Sequence, residues 1–174
     1  MIDQPTLEAI GKPLRLKKGE FVFKQGDADT SIYVVKSGLM KASYLTLDGK
    51  ELVKSFIQEG NFIGSLISCH SSEPCTFSLM CLEDCSLLQT RFIDLQKAAI
   101  NNPEFSSSVI TALLNLAIKK ERREFEFLCL SAPERYALFK QRYPSLIDRV
   151  TQNDIARYLG VTPVALSRIK QKAN

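Results

Sequence analysis

The sequence predicts an α+β chain: a strand-rich antiparallel N-terminal part, one long helix, and a small all-α unit at the C-terminus. Three observations predict it. Between residues 14 and 91, short apolar runs alternate with glycine or turn chemistry, as in small antiparallel folds. Residues 104–130 then run without glycine or proline, with apolar side chains three and four apart. Residues 151–174, TQNDIARYLGVTPVALSRIKQKAN, read as two short helices around a tight turn.

Residues 1–13 read as a short helix or arm, with Ile2, Leu7 and Ile10 as packing contacts. From Leu14 the pattern becomes that of strands. KKGEFVFKQGD (17–27) places the apolar run 21–23 between Gly19 and a Gly26-Asp27 turn. Strand-like runs follow at 32–35, 39–47 and 51–57, separated by Ser37-Gly38 and by Asp48-Gly49, a strong hairpin signal. TFSLMCLEDCSLLQTR (76–91) supplies further strands. This spacing suggests a small antiparallel barrel or sandwich.

A helix begins over 92–96, and Asn101-Asn102-Pro103 breaks it. In the long helix that follows, Phe105, Val109, Ala112, Leu113, Leu116 and Ala117 form an apolar stripe. The stripe suits a partner helix in a parallel two-fold dimer, or the chain's own barrel; opposite flanks could do both. KKERRE (119–124) interrupts it before Phe125, Phe127 and Leu128 resume it. Ser131-Ala132-Pro133 ends the helix, another runs over 133–143, and Pro144 breaks that. The expected divisions are 1–100, 101–130 and 131–174.

In the terminal stretch, Thr151 can cap the first helix and Asp154 complete a capping box. Ile155, Ala156 and Leu159 form its apolar face, and Gly160 stops it. Thr162 can cap the second helix, with Pro163 in its first turn. Leu166 and Ile169 face inward, leaving Ala165, Ser167, Arg168 and Lys170 outside. An ordinary helical hairpin would satisfy part of this; an outer face of hydroxyl and basic groups favours a DNA-reading helix-turn-helix.

Composition narrows the classes. The chain is 45% hydrophobic and 24% charged, values of a soluble globular protein. No apolar run approaches the ~20 residues of a membrane span, and no signal-peptide pattern opens the sequence. Five cysteines, an odd number, argue for reduced thiols in a cytoplasm. Residues 1–90 carry 9 Lys+Arg against 11 Asp+Glu, whereas 91–174 carry 14 against 8. That imbalance favours a polyanion partner for the C-terminal half, or reflects KKERRE as a solvated helix face. A single histidine without an evident acid or nucleophile partner, no P-loop and scattered carboxylates point away from an enzyme.

The order of elements, with the motifs KKGEFVFKQGD, YVVKSGLMKASYLTLDGKE and QNDIARYLGVTPVALSRIK, resembles the CRP/FNR family of bacterial transcription regulators over nearly the whole chain. The resemblance implies an N-terminal antiparallel β-roll (a double-stranded β-helix, or jelly-roll), a long dimerisation helix and a C-terminal all-α helix-turn-helix domain. It implies double-stranded DNA, a second copy of the chain and RNA polymerase as partners. Thr151, Gln152 and Thr162 would hold the phosphate backbone, and Arg168 would pair with guanine O6 and N7, flanked by Ala165, Ser167 and Lys170. Pro163 and Val164 stand where polar readers are frequent in the family, so apolar contact to thymine methyls is expected there. The family's usual β-hairpin wing after the recognition helix has no counterpart in this sequence, which implies a minimal DNA-binding unit or low affinity.

Cyclic-nucleotide-binding members carry a Gly-Glu pair and, about ten residues on, an Arg followed by Ser or Thr. The corresponding stretch here is GSLISCHSSEPCTFS (64–78): Gly64 is kept, Ser65 replaces Glu, and Cys75 replaces Arg beside Thr76. A thiol cannot make the bidentate, charge-assisted pair that holds a phosphate. Tight cAMP binding is therefore not expected, and the β-roll serves as a scaffold or as a pocket for another effector. No cofactor or metal is expected: Cys69, Cys75, Cys81 and Cys85 lack C-x-x-C spacing, and buried cysteine commonly acts as a small hydrophobe. Cys69 and His70, on a loop, are the outside candidates for haem ligation or redox sensing. The leading expectation is a dimeric DNA-binding regulator. The competing one is a sensor or protein-interaction β-roll dimer with a vestigial DNA-binding unit.

Overall fold

A computed structural model describes residues 4–172; Ile2 lies outside the described residues. Helix α1 (Gln4–Ile10) leads into β1 (Lys12–Leu16), β2 (Phe21–Phe23), β3 (Ser31–Ser37), β4 (Met40–Leu45) and β5 (Glu51–Ile57). Strand β6 (Phe62–Ile63), α2 (Leu66–Ser71), β7 (Ser78–Cys81) and β8 (Cys85–Arg91) follow. Every strand pairing is antiparallel, in two four-stranded sheets ordered β1-β8-β3-β6 and β2-β7-β4-β5. Each sheet mixes early and late strands, which is how a β-roll closes. Two-residue β6 and six-residue α2 lie in the stretch with the weakest periodicity, and β4 ends two residues short of the expected 47 because Thr46 already belongs to the hairpin turn.

Strand parity distributes the side chains. Tyr33 and Val35 of β3, Met40 and Ala42 of β4, Leu79 of β7 and Leu87 of β8 fill the space between the sheets. The alternate residues Ile32, Val34 and Leu88 face the other way and bury Leu7, Leu95, Phe105 and Ala112. Those belong to α1, to α3 (Phe92–Asn101) and to α4 (Pro103–Cys129), a helix of 27 residues. Asn102 caps α4 by accepting from the Phe105 N–H at 3.1 Å, while Pro103 takes a position that needs no N–H.

The C-terminal helices are α5 (Ala132–Arg142), α6 (Gln152–Leu159) and α7 (Pro163–Lys172). Ser131 and Glu134 form a reciprocal capping box at the start of α5. These helices share one core with β5 and the residue before β4: Leu39, Val53 and Phe56 pack with Tyr136, Phe139, Ile155, Leu159 and Leu166. Phe56, Phe139 and Tyr158 meet with ring centroids 5.3 to 6.3 Å apart. The helix-turn-helix is thus seated on the roll rather than held apart from it.

The stripe on α4 divides in two. Phe105 and Ala112 are buried against the roll, with Val109 and Leu116 partly so. Ile110, Leu113, Leu114 and Ile118 remain exposed on the opposite flank. KKERRE is not simply a solvated face either. Arg123 turns inward, donating to the backbone carbonyls of Val53 at 3.0 Å and Tyr158 at 2.9 Å, and its guanidinium stacks 3.9 Å from the Tyr158 ring.

Candidate functional site

The helix-turn-helix is built as the local chemistry requires. The Asp154 N–H donates to Thr151 Oγ1 at 3.1 Å and caps α6. The expected return arm of a capping box does not form there. Asp154 instead accepts from the Thr151 hydroxyl at 2.6 Å and from Lys41 Nζ at 2.8 Å, because a buried ammonium outcompetes a backbone amide. Gly160 stops α6 at φ +70°, where a side chain is strained, and an added Cβ would lie 2.9 Å from the Phe127 ring. Thr162 Oγ1 then accepts from the Ala165 N–H at 3.2 Å and starts α7.

The two faces of α7 are unlike. Leu166 is 1% exposed and Ile169 packs beside it, whereas Thr162, Pro163, Val164, Ser167 and Arg168 are exposed and Ala165 is half-buried. Arg168 has no hydrogen bond or ion pair among the described residues. Lys170 donates to Gln152 Oε1 at 3.0 Å, which ties the end of α7 to the start of α6. Thr151 keeps its surface exposed, but its hydroxyl is already committed to Asp154.

Lys41, unremarked in the sequence, is the anchor beneath this unit. The residue is 4% exposed, and its ammonium bonds Asp154 at 2.8 Å and Glu51 at 2.9 Å. Arg157 also bonds Glu51. Burial pushes the Asp154 carboxyl up, but hydrogen bonds from Lys41 and Thr151, with the charges of Lys41 and Arg157, outweigh it and hold it below its usual value. Glu51 is depressed in the same way, burial opposing Lys41, Ser43 and Arg157. Arg149 adds a second tie, reaching Glu59 and Glu83 at 2.7 Å each.

The stretch resembling a phosphate cassette borders a groove of about 130 Å³. Gly64, Ser65 and Thr76 line it, and Cys75 does not. Cys75 is 2% exposed and belongs to the core between the sheets, where the segment leading into β7 buries every second side chain, Cys75 and Phe77 and then Leu79 and Cys81. Gly64 is needed for packing: a Cβ there would lie 2.6 Å from the Ser31 carbonyl and from Ile32 Cδ1. The Ser65 hydroxyl is buried and without a partner in the structure. Two cations missed by the local pattern line the groove from distant segments, Lys54 of β5 and Lys120 of α4. Lys54 Nζ sits 3.7 Å from the Phe77 ring centroid.

Cys69 and His70 lie on α2 rather than on a loop, Cys69 half-buried and His70 exposed. Burial, then the charges of Asp29 and Cys75, push the Cys69 thiol up to about 11, and burial with Cys85 pushes Cys81 up to about 12. Such thiols are poor nucleophiles at neutral pH. Among the described residues, no group of three or more His, Cys, Asp or Glu could hold a metal ion, and no helix is long and apolar enough to cross a membrane.

A β-roll, a long helix with an exposed apolar flank and a helix-turn-helix define a transcription regulator of the sensor-plus-reader class. Residues 13–102 match the cyclic nucleotide-binding domain family. The transcriptional activator protein Anr of Pseudomonas protegens is 28% identical over 96% of this chain and 72% of its own length. The electron transport regulator A of Shewanella oneidensis is 24% identical over 93% of this chain and 68% of its own. Among solved structures, the c-di-GMP-responsive global regulator CLP of Xanthomonas campestris superposes with a TM-score of 0.81 at 20% identity, over 98% of this chain and 91% of its own. A CooA variant from Carboxydothermus hydrogenoformans gives 0.77 at 18% identity, over 97% and 78%. The chain belongs to the CRP/FNR family of transcription regulators.

Proposed function

We propose that the protein works in the cytoplasm as a homodimer joined along the exposed flank of α4, reading duplex DNA through α7. The observation that carries this is the two-sidedness of α7: Leu166 is fixed in the core while Ser167 and unpaired Arg168 project outward. Arg168 is the base reader, since a guanidinium pairs with guanine O6 and N7. Ser167 and Lys170 flank it, Ala165, Pro163 and Val164 offer apolar contact, and Gln152, Thr151 and Thr162 lie where phosphates would approach the helix starts. RNA polymerase is the partner through which a bound regulator of this family would act. The protein performs no catalysis in this role.

A salt-dependent gel shift on the upstream region of its own gene tests the proposal. Arg168→Ala should cost about 1–3 kcal/mol at one base position, whereas Lys172→Ala should weaken all sequences alike. Equal loss on operator and random DNA would remove Arg168 from the reading role. The second reading, an effector-sensing or protein-interaction dimer with a weak DNA-binding unit, is favoured by the clamp of Lys41, Glu51 and Asp154 that seats α6 on the roll. Absence of any salt-dependent shift would select it.

Tight cAMP binding is not part of this function. The cassette groove offers no carboxylate for a ribose hydroxyl and no guanidinium for a phosphate. At about 130 Å³ it is also smaller than the roughly 300–1,000 Å³ of ordinary small-molecule sites. Isothermal titration with cAMP should show no binding at micromolar concentrations.

A further inference from the structure

Lys54, on β5, stands where two hollows of the molecule meet. One is the cassette groove, and the other is a cavity of about 360 Å³ between α4, the β5–β6 edge and the C-terminal helices. Among the described residues, no carboxylate lines either of them. Cations do: Lys119, Lys120 and Arg123 come from α4, and Arg142 from α5. Arg142 is neutralised by Glu126 at 2.7 Å, and Arg123 is held by backbone carbonyls. Lys54, Lys119 and Lys120 have no carboxylate partner among the described residues.

The side chain of Lys54 is half-buried, and its Nζ lies 3.7 Å from the centroid of the Phe77 ring. Attraction to the ring favours the ammonium. Burial opposes it, as do the charges of Lys120 and Lys119, and together they push Lys54 down to about 8. At pH 7 about one-tenth of Lys54 is therefore neutral, against about one in three thousand for a lysine at the ordinary 10.5. A neutral amine is a nucleophile, and this one opens onto space that a three-atom reagent can enter.

From an amine with an apolar ring on one side and unpaired cations on the other, we infer that Lys54 is a site of reversible carbamate formation with dissolved carbon dioxide. The step needs no oxidant or reductant. The Nζ lone pair forms a bond to the carbon of CO2, one C=O π bond opens to give a carboxylate, and a proton leaves Nζ for water. Starting from the ammonium, two protons are released and the charge at this position changes from +1 to −1. Repulsion from Lys119 and Lys120 thereby becomes attraction. An aldehyde condensing at the same nitrogen would leave a neutral imine or a cationic iminium and gain no such attraction, so the surrounding charges select CO2. The inference concerns one side chain and is independent of the DNA-reading proposal.

Chemical trapping on the full chain, without DNA, tests it. The protein is equilibrated with isotope-labelled bicarbonate near neutral pH and treated with triethyloxonium, which converts carbamates to stable ethyl esters, and its peptides are read by mass spectrometry. Lys54 should carry the labelled ethoxycarbonyl group at least tenfold more than exposed Lys97 of α3. Lys119→Gln with Lys120→Gln should cut labelling of Lys54 about tenfold and leave Lys97 unchanged, because it restores the proton affinity of the amine and removes the charges facing the carbamate. Equal labelling of Lys54 and Lys97 in the unaltered chain, or labelling of Lys54 indifferent to the double substitution, would each overturn the inference. The comparison within the unaltered chain requires no variant to fold, and thermal melting of the double variant separates a lost site from a lost fold.

Discussion

Lys41 shows what a single buried charge does in this molecule. Removing one partner of a desolvated ion pair leaves the other without compensation. Lys41→Met should therefore lower the stability of the folded chain by about 3–5 kcal/mol in urea unfolding, because Asp154 stays buried with only the Thr151 hydroxyl and the half-exposed Arg157, 3.9 Å away, to face. Lys41→Met with Asp154→Leu should recover most of that loss, since well-packed apolar pairs replace buried ion pairs at little cost. If the double variant is as unstable as the single one, the charges are not the cause. Asp154 itself was legible as the residue three positions after the Thr151 cap; its bond to Lys41, 113 positions away, was not.

At the scale of elements, α4 carries two faces with different tasks. Phe105 and Ala112 bind the helix to its own roll, while Ile110, Leu113, Leu114 and Ile118 stay exposed on the flank that the proposed homodimer would use. Leu114→Glu places a charge in that flank without touching the buried one. Sedimentation should show the variant shifting to monomer at concentrations where the parent is a dimer, with DNA affinity falling alongside. A variant that stays dimeric would move the interface off this flank. The three- and four-residue spacing reads as one stripe, because periodicity reports which residues are apolar but not which flank meets which neighbour. The same ambiguity hid the inward turn of Arg123 and the contribution of Lys119 and Lys120 to a cavity.

Across the whole molecule, the C-terminal helices are joined to the roll by apolar packing and by carboxylates held below their ordinary values. Hydrogen bonds from Arg149 depress both Glu59 and Glu83 against the opposing effect of burial, and Asp154 and Glu51 are depressed as described. A carboxyl whose folded value lies below its unfolded one contributes stability that is complete above the unfolded value, 3.8 for Asp and 4.5 for Glu. That contribution is lost as pH falls through the lower folded values. Stability should thus be level at neutral pH and drop below about pH 4. The near-ultraviolet signal of Tyr158 and Tyr136 in the shared core should change in that acid range. A fall centred near pH 6 would point to other groups.

By itself the sequence determined what local chemistry controls: the strand-to-helix change of period, the hairpin at Asp48-Gly49, the break at Asn101-Asn102-Pro103 before the long helix, and the Thr151, Gly160 and Thr162 signals of the helix-turn-helix. Each depends on residues within a turn of one another, where a backbone conformation or a cap either fits or does not. Only the tertiary structure decided that Cys75 points into the core, that β6 and α2 form, and that α6 is clamped through Lys41. It alone assembled a basic cavity from β5, α4 and the C-terminal helices. Those outcomes depend on which face of one element meets which face of another, and contacts between segments a hundred residues apart leave no periodic trace along the chain.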